Sequence, residues 1–284
     1  MIIRCPAKIN WFLDVGQRRP DGYHELHSVM QRVDLADELR LRLTDEPVVR
    51  FACAEGTCAC ADEDNIVVRA ARRLFDAGRP ARGVEIVLAK RIPVAAGLGG
   101  GSSDAAGVLL ALPSLWKINL SVREVAEIAR GLGADVPFFL GEPAALCEGV
   151  GERVTPLPAQ VHPLVLWNPA LPLSTAAVYR QFDTQPRPRR HVAAFLAAYE
   201  RGAAGLLAAE IWNNLAFAAV ECLPALAQMT RTCLTQGALA CWITGSGPTV
   251  VSLCSSAVEA QRLAQALRAA SGAHGTVIAC GTLA

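Results

Sequence analysis

Apolar and charged residues alternate over Leu39-Arg40-Leu41-Arg42-Leu43, the period of two that a half-buried strand requires. Val84, Ile86 and Leu88 repeat that period. Between the two stretches it lengthens. Ile66, Val67, Ala70, Ala71, Leu74 and Phe75 share one side of a predicted helix, with Asp62 or Asp64 as its cap and Gly78 as its stop. The first ninety residues thus read mainly as strands around one helix. A glycine-rich turn, Gly97 to Gly101, leads into a short helix predicted to begin near Ser103 and to be closed by Pro113. Its apolar run, Ala105 to Leu112, is that of a buried helix. Ser121-Val122-Arg123-Glu124 has the form of a capping box, so a further helix starts there, and Gly131 and Gly133 end it.

Residues 161–167 predict a strand that opens a second unit. A Pro/Arg-rich surface connection over 185–190 leads to two Ala/Leu-rich helical segments. Residues 238–243 and 249–253 predict strands on either side of a Thr-Gly-Ser-Gly-Pro turn. Ser256-Ala257-Val258-Glu259 repeats the capping box and opens a helix to about Ser271, and residues 276–280 form the last strand. From residue 161 onward the order is β-α-β-β-α-β, that of a ferredoxin-like half. The expected fold class is α+β with two domains, 1–157 and 158–284.

Composition narrows the function. Hydrophobic residues make up 52% and charged residues 19% of 284, which calls for a packed core. A net charge of +1 supplies no basic field for nucleic acid or an anionic membrane. No apolar run has a membrane-spanning length, and Arg4, Lys8, Asn10 and Asp14 break up any secretion signal, so a cytoplasmic protein is expected. The ten cysteines are scattered and are expected to be reduced. Cys53, Cys58 and Cys60 lack both a CxxC pair and a nearby histidine, so no zinc site is expected there. His27, His162, His191 and His274 show no metal-ligand spacing; His24 and His27 would share a face only if they lay on a helix.

The strongest chemical signal runs from Pro93 through Val94, Ala95, Ala96, Gly97, Leu98, Gly99, Gly100, Gly101, Ser102 and Ser103. Glycines let backbone approach a ligand closely, and a helix that begins just after them aims unpaired N–H groups at it. Such a turn binds phosphate, and the two serines add hydroxyls for phosphate oxygens or magnesium. The P-loop pattern fails because Ser-Ser-Asp follows the last glycine, and the dinucleotide fingerprint fails at Ser102 and at Asp104.

This loop resembles the second motif of the GHMP kinases, the family of galactokinase, homoserine kinase and mevalonate kinase. Pro6-Ala7-Lys8-Ile9-Asn10 and Thr244-Gly245-Ser246-Gly247-Pro248-Thr249 are similar to that family's first and third motifs, in order along nearly the whole chain. Arg19-Pro20-Asp21-Gly22-Tyr23-His24, Asp64-Asn65-Ile66-Val67 and Gly133-Ala134-Asp135-Val136-Pro137 resemble segments of the branch that acts on diphosphocytidyl-methylerythritol. The resemblance implies a GHMP kinase fold with ATP and substrate in a cleft between the halves, with Mg2+ as cofactor, a small-molecule substrate, and a monomer or weak homodimer.

By the same resemblance Asp135 is the catalytic base and Lys8 its cationic partner. Asn65, Ile66, Val67 and Lys90 fall on the ATP side with the loop. Tyr23 and Tyr179 stack on the cytosine, His24 bonds its edge, and Asn10 and Thr175 bind polar parts of the substrate. Plainer roles stand beside these: a turn or cap for Asp135, a surface position for Lys8, core packing for Ile66, Val67 and Tyr179, and a helix cap for Thr175. Asn213-Asn214 replaces an Asn-Asp pair found in many members and receives no role. The competing readings are a GHMP kinase of mevalonate or homoserine type, a nucleotide-binding sensor without chemistry, and a nucleic-acid binder.

Overall fold

A computed structural model describes residues 1–54, 64–271 and 275–284. Two compact units emerge, each built from separate stretches of chain. The first comprises Met1–Ala7, Leu35–Val94 and Gly99–Glu142; the second comprises Lys8–Asp34, Ala95–Leu98 and Pro143–Ala284. Two long strands, β1 (Ile2–Arg18) and β2 (His24–Thr44), contribute residues to both.

In the first unit, residues 38–44 of β2 pair antiparallel with β4 (Gly83–Ala89), which pairs in parallel with β3 (Val49–Cys53). Leu39 and Leu41 are buried while Arg40 and Arg42 are exposed, as the alternation requires. Helix α1 (Ile66–Gly78) packs on α2 (Gly100–Trp116). The cap of α1 is Asn65 rather than Asp64: its extended backbone lets Oδ1 accept from the Val67 amide at 2.9 Å. Asp62 lies outside the described residues. Helix α2 starts at Gly100, earlier than predicted, and runs through Pro113 to Trp116. Proline in the last turn forfeits one intrahelical bond, and burial of Leu109, Leu112 and Trp116 holds the turn in place. Helix α3 (Val122–Arg130) has both halves of the predicted capping box. A single 3-10 turn, Pro137–Leu140, follows.

In the second unit, residues 26–31 of β2 pair with β5 (Ala144–Gly149), and β5 pairs with β6 (Arg153–Leu157). A four-stranded antiparallel sheet holds β7 (Pro163–Asn168), β9 (Ala240–Ile243), β10 (Val250–Leu253) and β11 (Thr276–Gly281) in the order β11-β7-β10-β9. This is the ferredoxin-like arrangement expected, with the first strand between the last and the third. Helix α4 (Thr175–Phe182) precedes the Pro/Arg-rich connection. After it, four helices stand where two were predicted: α5 (Val192–Arg201), α6 (Ala204–Glu210), α7 (Leu215–Cys222) and α8 (Ala225–Thr235). Gly202, left-handed at φ 69°, and Pro224 make two of the breaks; between them β8 (Trp212–Asn213) leaves to pair with β1. Helix α9 (Ala257–Ala270) starts at Ser256, whose hydroxyl accepts from the Glu259 amide. Leu13, Val165, Leu226, Val250 and Leu263 lie in the core of this unit.

His24 and His27 both lie on β2, so no helix face joins them. Cys53 is disulfide-bonded, where a reduced thiol was expected; Cys58, Cys60 and His274 lie outside the described residues. Among the described residues no helix is long and apolar enough to cross a membrane, and no cluster of candidate metal ligands forms.

Candidate active site

The first unit gathers the predicted ATP-side elements except Ala95–Leu98 of the loop, which fall in the second. Gly99 sits at the start of α2 in the left-handed region, at φ 68°, and the helix opens directly from it. A Cβ on Gly101 would lie 3.5 Å from Ile66, and one on Gly133 would lie 3.8 Å from the same side chain. The first turn of α1, the first turn of α2 and the turn that carries Asp135 therefore converge on Ile66. Val67 is fully buried, so it faces the core as the plainer role had it. Asp135 is half-buried, and the residue at the cap of the following 3-10 turn is Val136, with no side-chain cap bond. Ser103 is buried and closes the first turn of α2 with its amide on Gly99 O; Ser102 is half-buried.

Lys90 occupies a place that sequence reasoning did not anticipate. Its Nζ donates to Asp37 Oδ2 at 2.5 Å and to Asp104 Oδ2 at 3.0 Å, both carboxylates being almost fully buried. Asp37 Oδ1 also accepts from the amides of Arg91 and Ile92. One ammonium thus ties β2, the end of β4 and the first turn of α2 together, and a Cβ on Gly100 would come within 3.1 Å of it. One cation between two carboxylates leaves a net negative charge in a dry place, which favours a shared proton. Burial, opposed by Lys90 and reinforced by Asp37, pushes Asp104 up to about 7. Burial acts to lower Lys90, but Asp104 and Asp37 outweigh it and hold the ammonium above its ordinary value. Asp37 and Asp104 gave no signal in the sequence, because 67 positions of chain separate them.

The second unit gathers Lys8, Ile9 and Asn10 of the first motif and the whole of the third. Lys8 is 4% exposed, so it is no surface lysine, and its Nζ donates to Asn10 Oδ1 at 2.7 Å. Every polar group of Asn10 is engaged: Nδ2 donates to Ser28 Oγ, the amide donates to Thr244 Oγ1, and the carbonyl accepts from Trp242 Nε1. Gly245 lies beside this pair, its absent Cβ 3.4 Å from Asn10 Oδ1 and 3.8 Å from Lys8 Nζ. Gly97 is left-handed at φ 75°, and a Cβ there would meet the carbonyl oxygens of Gly247 and Thr244 at 2.8 Å. Only glycine lets the two turns approach so closely. The Asn213-Asn214 pair, without a role in the sequence, holds backbone. Asn213 Nδ2 donates to the carbonyls of Ile243 and Gly245, and Asn214 bonds both polar groups of Val15.

The predicted base-reading residues also fall in the second unit. Tyr23 is 64% exposed, in a turn where Asp21 Oδ1 accepts its amide. His24 is buried, with Tyr179 5.0 Å away, ring to ring, at 40°. Tyr179 is partly buried against the core. Thr175 is exposed and bonds Ser246 Oγ at 2.9 Å; the cap of α4 is Ser174, so Thr175 does not serve there.

A ferredoxin-like sheet, a glycine turn opening a buried helix, and a lysine held against a second glycine turn agree with the resemblance to the GHMP kinases. The family description "GHMP kinases N terminal domain" matches residues 65–142, and "GHMP kinases C terminal" matches residues 195–273. Two relatives bear the name 4-diphosphocytidyl-2-C-methyl-D-erythritol kinase. That of Geobacter metallireducens is 40% identical over 94% of both chains, and that of Symbiobacterium thermophilum is 43% identical over 94% of this chain and 95% of its own. A crystal structure of 4-(cytidine 5'-diphospho)-2C-methyl-D-erythritol kinase superposes with a TM-score of 0.86, at 37% identity and over 100% of both chains. The chain belongs to the 4-diphosphocytidyl-2-C-methyl-D-erythritol kinase family of GHMP kinases.

Proposed function

We propose that this kinase transfers the γ-phosphoryl group of ATP to the 2-hydroxyl of 4-diphosphocytidyl-2-C-methyl-D-erythritol, giving the 2-phosphate and ADP in the methylerythritol phosphate route to isoprenoid precursors. The relatives' names supply the substrate and favour it over mevalonate or homoserine. The chemistry rests on one structural observation, the buried Lys8 ammonium oriented by Asn10 beside the Gly245 turn.

Phosphoryl transfer needs positioning and neutralisation more than covalent help. Lys8 stabilises charge on the reacting oxygens, and Asp135 takes the proton of the substrate hydroxyl. The turn from Pro93 to Ser103 and the first amides of α2 hold the phosphates. Asn65 and Ile66 support the nucleotide from the start of α1 with Val67 packed in the core beneath them, and Lys90 acts there through the helix it anchors. Tyr23, Tyr179 and His24 take the cytosine; Asn10 and Thr175 take polar parts of the substrate. Magnesium fits as a nucleotide-borne ion: the Ser102 and Ser103 hydroxyls at the first turn of α2 suit a cation held mainly by phosphate oxygens, and it supplies charge neutralisation there. The reading includes a cytoplasmic enzyme, monomeric or weakly dimeric, with sequence domains 1–157 and 158–284 and no nucleic-acid partner. Its test is ATP consumption with the cytidyl substrate beside mevalonate and homoserine. Consumption with mevalonate or homoserine and none with the cytidyl compound overturns it.

A further inference from the structure

His24 and Asp183 are 159 positions apart, yet Nε2 of the histidine lies 2.7 Å from Oδ1 of the aspartate. The imidazole is closed in: its side chain is 6% exposed, with Phe182 edge-on at 6.0 Å and Tyr179 at 5.0 Å. Asp183 is the residue that ends α4, its backbone N–H donating to Tyr179 O. The helix that presents Tyr179 therefore also presents the carboxylate.

A carboxylate only accepts hydrogen bonds, so Nε2 carries the proton. In a neutral imidazole the other nitrogen, Nδ1, is then a bare acceptor. Among the described residues Nδ1 has no hydrogen bond. We infer that Asp183 is a specificity-determining positioning residue: it fixes His24 as the Nε2–H tautomer, so that Nδ1 accepts from the 4-amino group of cytosine and opposes the 4-carbonyl of uracil. The inference deepens the proposed function and rests on its assignment of His24 to the base. Cytosine carries an amino donor at position 4, where uracil carries an oxygen acceptor. An acceptor locked against an acceptor leaves both unpaired, and the discrimination follows from that mismatch. Neither Tyr23 nor Tyr179 can supply it, because every base offers a stacking face.

The test pairs kinetics with a spectroscopic signature. The ratio of kcat/KM for cytidyl over uridyl substrate is measured for the intact enzyme and for Asp183→Ala and Asp183→Glu. Two-bond proton–nitrogen spectra, assigned with His24→Gln, report which ring nitrogen is protonated. The wild type shows protonated Nε2 and bare Nδ1. Asp183→Ala mixes the tautomers and lowers the ratio roughly tenfold, with KM for the cytidyl substrate rising more than kcat falls. Asp183→Glu restores part of both. General loosening at the end of α4 would slow both substrates alike and leave the ratio unchanged. An unchanged ratio in a cytidyl-using enzyme, or a wild type protonated at Nδ1, overturns the inference and leaves the proposed function standing. A wild type that turns over no cytidyl substrate overturns both.

Discussion

Two lysines lie beside glycine turns in this protein, one in each unit, Lys8 buried and Lys90 with its side chain 11% exposed. Lys90 spends its charge on Asp37 and Asp104 and anchors the first turn of α2. Lys8 meets the neutral Asn10, whose remaining groups are fixed by Ser28, Thr244 and Trp242. Lys90 thus bonds across distant stretches of chain, whereas the bond from Lys8 to Asn10 stays within β1. Enclosure alone therefore does not separate the two lysines; what each bond ties together does.

The lysines and the residues around them respond to substitution by very different amounts. Asp135→Asn removes the proposed proton acceptor and should lower kcat by roughly 10²–10⁴-fold while substrate affinity falls far less. Turnover close to wild type would mean that the proton goes to another group or needs no acceptor. Lys8→Met should lower kcat by about 10²–10³-fold, the scale of losing one preorganised donor. Lys90→Met should instead cost about 3–5 kcal/mol of stability, because two buried carboxylates lose their cation. Denaturant midpoints and turnover measured on both proteins separate the two, and the same ranking in both assays defeats the distinction.

Smaller effects test the turns and the buried carboxylates. Gly97→Ala places a methyl 2.8 Å from two carbonyl oxygens at a left-handed φ. Strain of about 1–3 kcal/mol should appear as weaker ATP binding by calorimetry. Asp104 has a folded value near 7 against its ordinary 3.8, so the folded protein keeps a proton that the unfolded chain has lost between these values. Stability from this group is therefore lost as pH rises through that window. Asp104→Asn cannot titrate, so wild type should lose more denaturant resistance than the variant between about pH 4.5 and about pH 8. Equal losses would mean that the proton sits elsewhere in the cluster. Ala95, left-handed at φ 53° without being glycine, carries the smallest effect: Ala95→Gly should relieve about 1 kcal/mol of backbone strain.

Much of this was legible in the chain, and the reasons are physical. Alternation over Leu39–Leu43 and the box at Ser121 are local signals, so the strand and α3 were found where they lie. The ferredoxin-like order was legible because each strand is a short apolar run between turns. The start of α1 was not: Asn65 and Asp64 are both good caps, and only backbone geometry chose the former. Pro113 read as a stop because burial of the surrounding turn has no local signature. The Ala/Leu-rich stretch hid its breaks, since helix-forming residues continue across them. The motifs located Lys8 and the glycine turns. Asp37, Asp104 and Asp183 were invisible, being brought to their partners across 53, 14 and 159 positions by the fold alone.

The carboxylate cluster around Lys90 also governs a neighbouring atom. Cys5 lies against α2 where Gly107 leaves room, and burial, with Asp104 and Asp37 beside it, pushes its thiol well up. A thiol that is both enclosed and protonated does not react with an alkylating reagent until the first unit opens. In the second unit, Cys254 is likewise buried and pushed up to about 11, while Cys222 is exposed. One reagent therefore finds a fast internal standard at Cys222 and a slow clock in each unit. Peptide-resolved labelling at Cys5 and Cys254 times the two openings separately, and it reads whether the halves of this kinase come apart as one cooperative body or as two.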